Sequence, residues 1–151
     1  PEAVRAILSA DLIVIGPGSL FTSILPNLLV GGIVEAVRRS RALKVYVCNV
    51  ATQPGETDSF SVSDHLRAIE RHVGGNLFDV VLANSYFPET RPDADFAFVR
   101  PEGNNGCSGL GVEIVMSPLV DAQQPWRHDA RLLAQAVIGI LTATGDANAQ
   151  F

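Results

Sequence analysis

Residues 11–26 constrain this chain more than any other stretch. Leu12, Ile13, Val14 and Ile15 form an apolar run dominated by β-branched side chains, and Gly16-Pro17-Gly18-Ser19 follows at once. Such a run, with no polar alternation, fits a strand buried on both faces, as in a parallel sheet. Glycine reaches backbone angles closed to other residues and proline pre-sets φ, so the chain can turn sharply where the strand ends. Ser19 is then placed to cap a helix opening at Leu20. The free N–H groups of that first turn, with the hydroxyls of Ser19, Thr22 and Ser23, would make a cradle for a phosphate or ribose. Two common phosphate loops are excluded: the third glycine of the dinucleotide fingerprint is missing, and no Gly-Lys-Ser/Thr occurs anywhere. A tight strand-to-helix turn that binds nothing fits the spacing equally well. Gly18 separates the two readings. It is glycine either because a ligand approaches the backbone or because φ is positive, and asparagine would be tolerated only in the second case.

Around this stretch the pattern alternates. Val4, Ile7 and Leu8 give Glu2 to Ser9 a helical spacing ahead of the first strand. Pro26 starts a second helical piece with Leu28, Leu29, Ile33, Val34 and Val37 on its apolar side, which Gly31-Gly32 weakens. Arg38, Arg39 and Arg41 near its far end read as a solvated helix end. The run 44–48, KVYVC, predicts a second strand. The loop from Asn49 to Asp58 after it is rich in side chains able to read a ligand, and Pro54-Gly55 suits the centre of a type II turn. Ser61, three residues before Asp64, resembles a capping box, and Val62, Leu66, Ile69 and Val73 make a buried stripe behind it. His65 and His72 lie seven residues apart on that helix and read as packing or surface residues. Gly74-Gly75-Asn76 ends the helix, and residues 78–83 predict a third buried strand.

Helix and strand thus alternate through residue 83, which predicts an α/β fold: a Rossmann-like three-layer sandwich with a mainly parallel, doubly wound sheet. Ligands in such sheets bind beyond the C-terminal strand ends. The turn at 16–19, the loop 49–58 and Asn84-Ser85 all fall on that edge. Beyond Tyr86 the pattern loosens. Residues 96–99 and 112–115 suggest short strands around a turn-rich loop at 101–106. Leu132, Leu133, Ala136, Val137, Ile140 and Leu141 then mark the core face of a helix. Arg127 stands where that helix begins, and the dipole there disfavours a cation. A partner is therefore expected beside it: the carboxylate of Asp129, or else a ligand phosphate or another backbone segment. Residues 1–143 are expected to form one domain and 144–151 a frayed tail.

Composition narrows the function classes. The formal charge is −5, and a single lysine, Lys44, accompanies ten arginines with no basic tract, so no nucleic-acid partner is expected. Apolar tracts are interrupted by Thr22, Ser23, Pro26 and Asn27 or stop after about a dozen residues, too short for a membrane span. Cys48 and Cys107 are isolated and lack metal-ligand spacing, which suits reduced thiols in a cytoplasmic protein.

The strings DLIVIGPGSLFTSILPNLLV, KVYVCNVATQPGETD, SVSDHLRAIERHVG, VVLANS and RHDARLLAQAV occur here in order. Together they resemble the C-terminal half of the YvcK/CofD superfamily, and in particular its YvcK-like branch, the gluconeogenesis factors. The resemblance is close from Pro1 to Ser85, resumes at Arg127-His128-Asp129, and between Tyr86 and Trp126 is only one of general shape. It implies a Rossmann-like fold with a nucleotide-type ligand on the C-terminal edge of the sheet. YvcK-like proteins are UDP-sugar binders linked to central carbon metabolism and cell-wall synthesis, with no firmly assigned reaction. Their CofD relatives move a phospholactyl-type group from a guanylyl donor to a deazaflavin with a divalent metal. The glycine-rich turn and Asp-Asp-Gly-Gly-type segment that both branches carry near the N-terminus are missing here. The expected partner is therefore the remaining, N-terminal half of such a protein, and the bare sheet edge also makes a homodimer a candidate.

Two function classes follow from the resemblance: a non-catalytic UDP-sugar sensor, or a transferase using a nucleotide-activated donor. A transferase needs a metal-binding carboxylate cluster or a general base. The loops offer only Glu56 and Asp58, with hydroxyls and amides predominating, which favours binding. The candidate ligand-binding residues are Gly16, Gly18, Ser19, Thr22, Ser23, Asn27, Asn49, Thr52, Gln53 and Arg127. No catalytic or metal-ligating residue is assigned and no cofactor is certain. A UDP-sugar is the expected ligand, with NAD and GDP as alternatives.

Overall fold

The computed structural model describes residues 2–89, 94–102 and 111–148. Cys107, residues 103–106 of the expected turn-rich loop and 149–151 of the expected tail lie outside these. Four strands, β1 (Leu12–Ile15), β2 (Leu43–Val47), β3 (Val80–Asn84) and β4 (Glu113–Ser117), pair side by side in chain order and are all parallel. The expected α/β architecture with a parallel sheet is therefore observed. The doubly wound order is not: strand order never reverses, and there is no switch point, among the described strands.

The sequential order has a simple consequence. Right-handed crossovers that always step the same way keep their helices on one face. That face carries α1 (Glu2–Ser9), a π-helical turn (Leu20–Ile24), α2 (Leu25–Leu28), α3 (Ile33–Arg39) and α4 (Val62–Val73). Leu20, Ile24, Leu25, Leu28, Leu66 and Ile69 pack there against Tyr46 and Val81 of the sheet. The opposite face is covered by α5 (Ala130–Asn148), whose Leu133, Ala136, Val137 and Ile140 meet Val45, Val47, Val80 and Leu82. Each fully buried leucine, isoleucine or valine among these contributes roughly 1.5–3 kcal/mol, and the partly buried Leu133, Ala136 and Val137 contribute less. The result is three layers.

Several expectations change in detail. Val14 is 42% exposed, so β1 is a partly open edge strand and not one buried on both faces. Gly31-Gly32 do more than weaken a helix: they separate α2 from α3 and leave Leu29 and Val30 over half exposed. Arg38 is no solvated helix end, because its guanidinium donates to the carbonyls of Val73 and Gly75 and caps the last turn of α4. Residues 96–99 form no full strand. They run antiparallel to Val50–Thr52 through a single bridge, Ala51 to Phe98. Helix α5 continues to residue 148, past the expected start of the tail at Thr144.

The capping box is present. Ser61 Oγ accepts from Asp64 N while the Asp64 carboxylate accepts from Ser61 N, and the Ser61 hydrogen bonds hold the Asp64 carboxyl below its ordinary range. No single helix is long and apolar enough to cross a membrane among the described residues. The helices 20–28 and 33–39, bent by 73° to one another, together reach that length and composition, but their Leu20, Ile24, Leu25, Leu28, Ala36 and Val37 are buried in the core.

Candidate functional site

A broad cleft of about 1510 Å3 lies along the C-terminal edge of the sheet. Each wall is the segment that follows a strand: Pro17–Ser19 after β1, Asn49–Pro54 and Glu56 after β2, Glu89 and Ala94–Phe96 after β3, and Gln123 with Pro125–His128 after β4. Parallel strands end together, so their exit loops must gather at one edge. Of the three polar loops expected there, two line the cleft. Asn84 and Ser85 do not. The Asn84 side chain is buried, accepting from Leu119 N at 3.0 Å and Tyr86 N at 3.2 Å, and so ties the exits of β3 and β4 together.

The turn after β1 is built by close packing. Gly16 has φ +91°, and a Cβ placed on it would stand 2.8 Å from the carbonyl oxygen of Val47. Gly16 is therefore a scaffold residue, glycine so that β1's exit can lie against β2, and it does not line the cleft. Gly18 does line it, but its φ is outside the left-handed region. A Cβ at Gly18 would meet Ser23 Cβ at 3.2 Å and Ile24 Cδ1 at 3.5 Å, so neighbours in its own turn already demand a small residue.

Ser19 is not a helix cap. Its hydroxyl makes no capping bond and instead donates to Glu56 Oε2 at 2.5 Å, while Thr22 Oγ1 donates to Ser19 Oγ at 2.7 Å. The helix opens at Leu20 as expected, but as a π-turn in which the amides of both Ser23 and Ile24 reach the Ser19 carbonyl. Thr22 thus supports the cleft from behind. Ser23 and Asn27 are also outside it, Asn27 being engaged with the Ser23 carbonyl at 2.6 Å.

The second wall is rigid for local reasons. Asn49 Nδ2 donates to the Gly18 carbonyl at 3.0 Å and joins two walls. Thr52 is buried; its Oγ1 accepts from Ala97 N at 2.9 Å and its own amide donates to Ala97 O at 2.8 Å, which clamps the 94–99 segment in place. The Gln53–Glu56 turn closes through Glu56 N to Gln53 O at 3.0 Å with Gly55 at φ +78°, as the expected type II turn requires. Gln53 Oε1 is buried without a hydrogen-bond partner among the described residues. A buried acceptor left unpaired costs about 1–3 kcal/mol, which a donor from a ligand would recover.

Arg127 lies on the fourth wall. Asp129 is not its partner: Oδ1 of Asp129 accepts from Leu132 N at 2.8 Å and caps α5. The Arg127 guanidinium is exposed to the cleft, with one hydrogen bond among the described residues, to Gln124 Oε1 at 3.2 Å. Its backbone is well held. Asp121 Oδ1 receives the amides of Gln123 and Gln124, Arg127 N donates to Gln124 O, and Asp121 N donates to Arg127 O. His128 anchors the loop through Nε2 to the carbonyl of Cys48 at 3.2 Å, and burial holds its imidazole below the ordinary range. Neutral imidazole must then donate from Nε2, which fixes the tautomer.

The structure therefore gathers Gly18, Ser19, Asn49, Thr52, Gln53 and Arg127 at the cleft and leaves Gly16, Thr22, Ser23 and Asn27 out of it. Sequence reasoning omitted Glu56, Asp95, Phe96, Trp126 and His128 from the site. The Glu56 carboxylate within a loop of small polar residues was the available signal. Phe96 and Trp126 had none, since their place depends on long-range pairing. Among the described residues no three of His, Cys, Asp and Glu converge as metal ligands.

Comparison with known proteins bears on this geometry. The family model described as 2-phospho-L-lactate transferase CofD matches residues 1–120. The gluconeogenesis factor of Halalkalibacterium halodurans is 43% identical over 142 residues, covering 91% of this chain and 44% of its own length. That of Bacillus subtilis is 39% identical over 152 residues, covering 93% and 46%. A crystal structure of a UPF0052 family member from Bacillus halodurans superposes with a TM-score of 0.79 at 41% identity, covering 91% of this chain and 46% of that one. This chain thus spans less than half the length of these relatives.

Proposed function

This chain belongs to the CofD family, and from that membership and the chemistry of the cleft we propose that it forms part of a UDP-sugar-binding regulatory protein of the gluconeogenesis-factor type. Such a protein would couple nucleotide-sugar levels to central carbon metabolism and cell-wall control. The observation that carries this reading is Arg127, a guanidinium held at the cleft by a braced loop and with a single, neutral partner among the described residues. Five donors in a planar fork suit the oxygens of a diphosphate. Around it the cleft offers amides from Asn49 and Gln53 and the Ser19–Glu56 pair, groups that read sugar hydroxyls and base edges.

The test is calorimetric titration of the full-length protein with UDP-N-acetylglucosamine, GDP and NAD. UDP-N-acetylglucosamine should bind, and Arg127→Ala should weaken it by about 1.5–3 kcal/mol, the range for hydrogen bonds to charged groups, with melting unchanged. Unchanged affinity with lowered melting would make Arg127 structural. A second reading, transfer of a phospholactyl-type group from a guanylyl donor to a deazaflavin, is favoured by the description of the matching family model. Preferential binding of GDP would support it.

A further inference from the structure

The cleft carries an aromatic wall that the polar residues do not explain. Trp126 lines it and is 53% exposed, although an indole is among the most favourable side chains to bury. Its ring is not loose. It lies against Phe96 at 6.1 Å between centroids with the planes tilted by 60°, and Phe96 in turn packs edge-on to Phe98 at 5.7 Å. Phe98 is fixed to the sheet exit by the antiparallel bridge to Ala51. An aromatic stack running from the β2 exit to the cleft therefore supports an exposed indole at the residue next to Arg127. Gln53, on the same cleft, adds an independent feature: a buried Oε1 with no donor among the described residues.

We propose that Trp126, backed by Phe96, is the platform on which the ligand's nucleobase stacks, and that Gln53 Oε1 accepts a hydrogen bond from an N–H on the edge of that base. This deepens the nucleotide-binding reading and rests on it. Both observations ask for the same group. A flat heteroaromatic ring covers the indole at low entropic cost, and a base edge supplies the N–H that the unpaired oxygen lacks. A sugar hydroxyl could satisfy Gln53 but offers no π face to Trp126. The adjacency to Arg127 also fits, since a base one residue from a phosphate-binding guanidinium matches the short reach of a nucleotide.

Tryptophan emission and calorimetry, run in parallel on the full-length protein, test this with UMP, UDP-N-acetylglucosamine and N-acetylglucosamine 1-phosphate. The difference between wild type and Trp126→Phe isolates the signal of this indole. Both uridine ligands should quench it, and the base-free sugar phosphate should not. Trp126→Ala should weaken the uridine ligands about 5- to 150-fold while Trp126→Phe, which keeps a flat ring, stays within a few-fold of wild type. Melting should be unchanged in Trp126→Phe and fall only modestly in Trp126→Ala, which loses the packing on Phe96. Gln53→Leu should weaken the uridine ligands and leave the sugar phosphate as before. Quenching by the sugar phosphate, or full affinity in Trp126→Ala while wild type binds UDP-N-acetylglucosamine, overturns the platform alone. If wild type binds no nucleotide in calorimetry, the platform and the nucleotide-binding function fall together.

Discussion

Gly16→Ala isolates what the central turn is for. Two terms act at this position. A φ of +91° lies in the left-handed half of the map, where an L side chain costs about 1–2 kcal/mol. The new Cβ would also stand 2.8 Å from the Val47 carbonyl oxygen, a backbone atom that cannot swing away. Relieving such overpacking typically costs about 1–3 kcal/mol. Alanine narrows the unfolded ensemble relative to glycine, which returns about 0.4–1 kcal/mol. The net loss is therefore about 1–4.6 kcal/mol, measured by urea unfolding. Gly16→Asn divides the terms, because asparagine tolerates positive φ but still carries a Cβ. It should recover at most the conformational term, about 1–2 kcal/mol. Gly18→Ala should cost less than Gly16→Ala, since Gly18 is free of the φ term and its closest neighbour is the Ser23 side chain. Loss of less than 1 kcal/mol in Gly16→Ala, or full rescue by asparagine, would refute the close-approach argument.

Two further outcomes follow from the packing. Arg38→Ala removes the donor that caps the Val73 and Gly75 carbonyls, and should lower unfolding free energy by about 1–2 kcal/mol, toward the lower end for charged hydrogen bonds given its partial exposure; Arg38→Lys, which cannot reach both carbonyls with one fork, should restore less than half. Burial holds His65 below its ordinary value near 6.5, so the folded protein binds that proton less readily than the unfolded chain. Its stabilising contribution is complete above pH 6.5 and is lost as pH falls below that toward the folded value, with a slope of at most about 1.4 kcal/mol per pH unit. His65→Asn, able to keep a donor to the Ser61 carbonyl, should flatten the part of a melting-temperature profile just below pH 6.5; the slope left there should come from His128, shifted in the same direction by burial, and be lost in the double variant, while the slope below about pH 4 that the lowered Asp64 contributes remains.

Much of the architecture was decided locally. The β-branched runs at 12–15 and 80–82, the capping box at Ser61–Asp64 and the i, i+4 pattern from Leu132 to Ile140 each specify an element from its own residues, because strand and helix periods are written into which side chains must share a face. The gathering of 17–19 and 49–56 at one edge was equally legible, since parallel strands leave their exits together. What only the tertiary structure decided were the partners. Ser19 lies at a helix start and would cap it in isolation, yet Glu56, 37 residues later, accepts its hydroxyl's hydrogen bond. Asp129, one of the two kinds of partner open to Arg127 from the sequence, is engaged instead by the orphan amide of Leu132. Arg38 looked solvated until the end of α4 was laid beside it, and Trp126 joined the cleft only when Phe98 paired with Ala51. Propensity acts over a few residues, whereas a hydroxyl, carboxylate or guanidinium bonds to whatever the folded backbone brings within 3 Å, and that depends on contacts far apart in the chain.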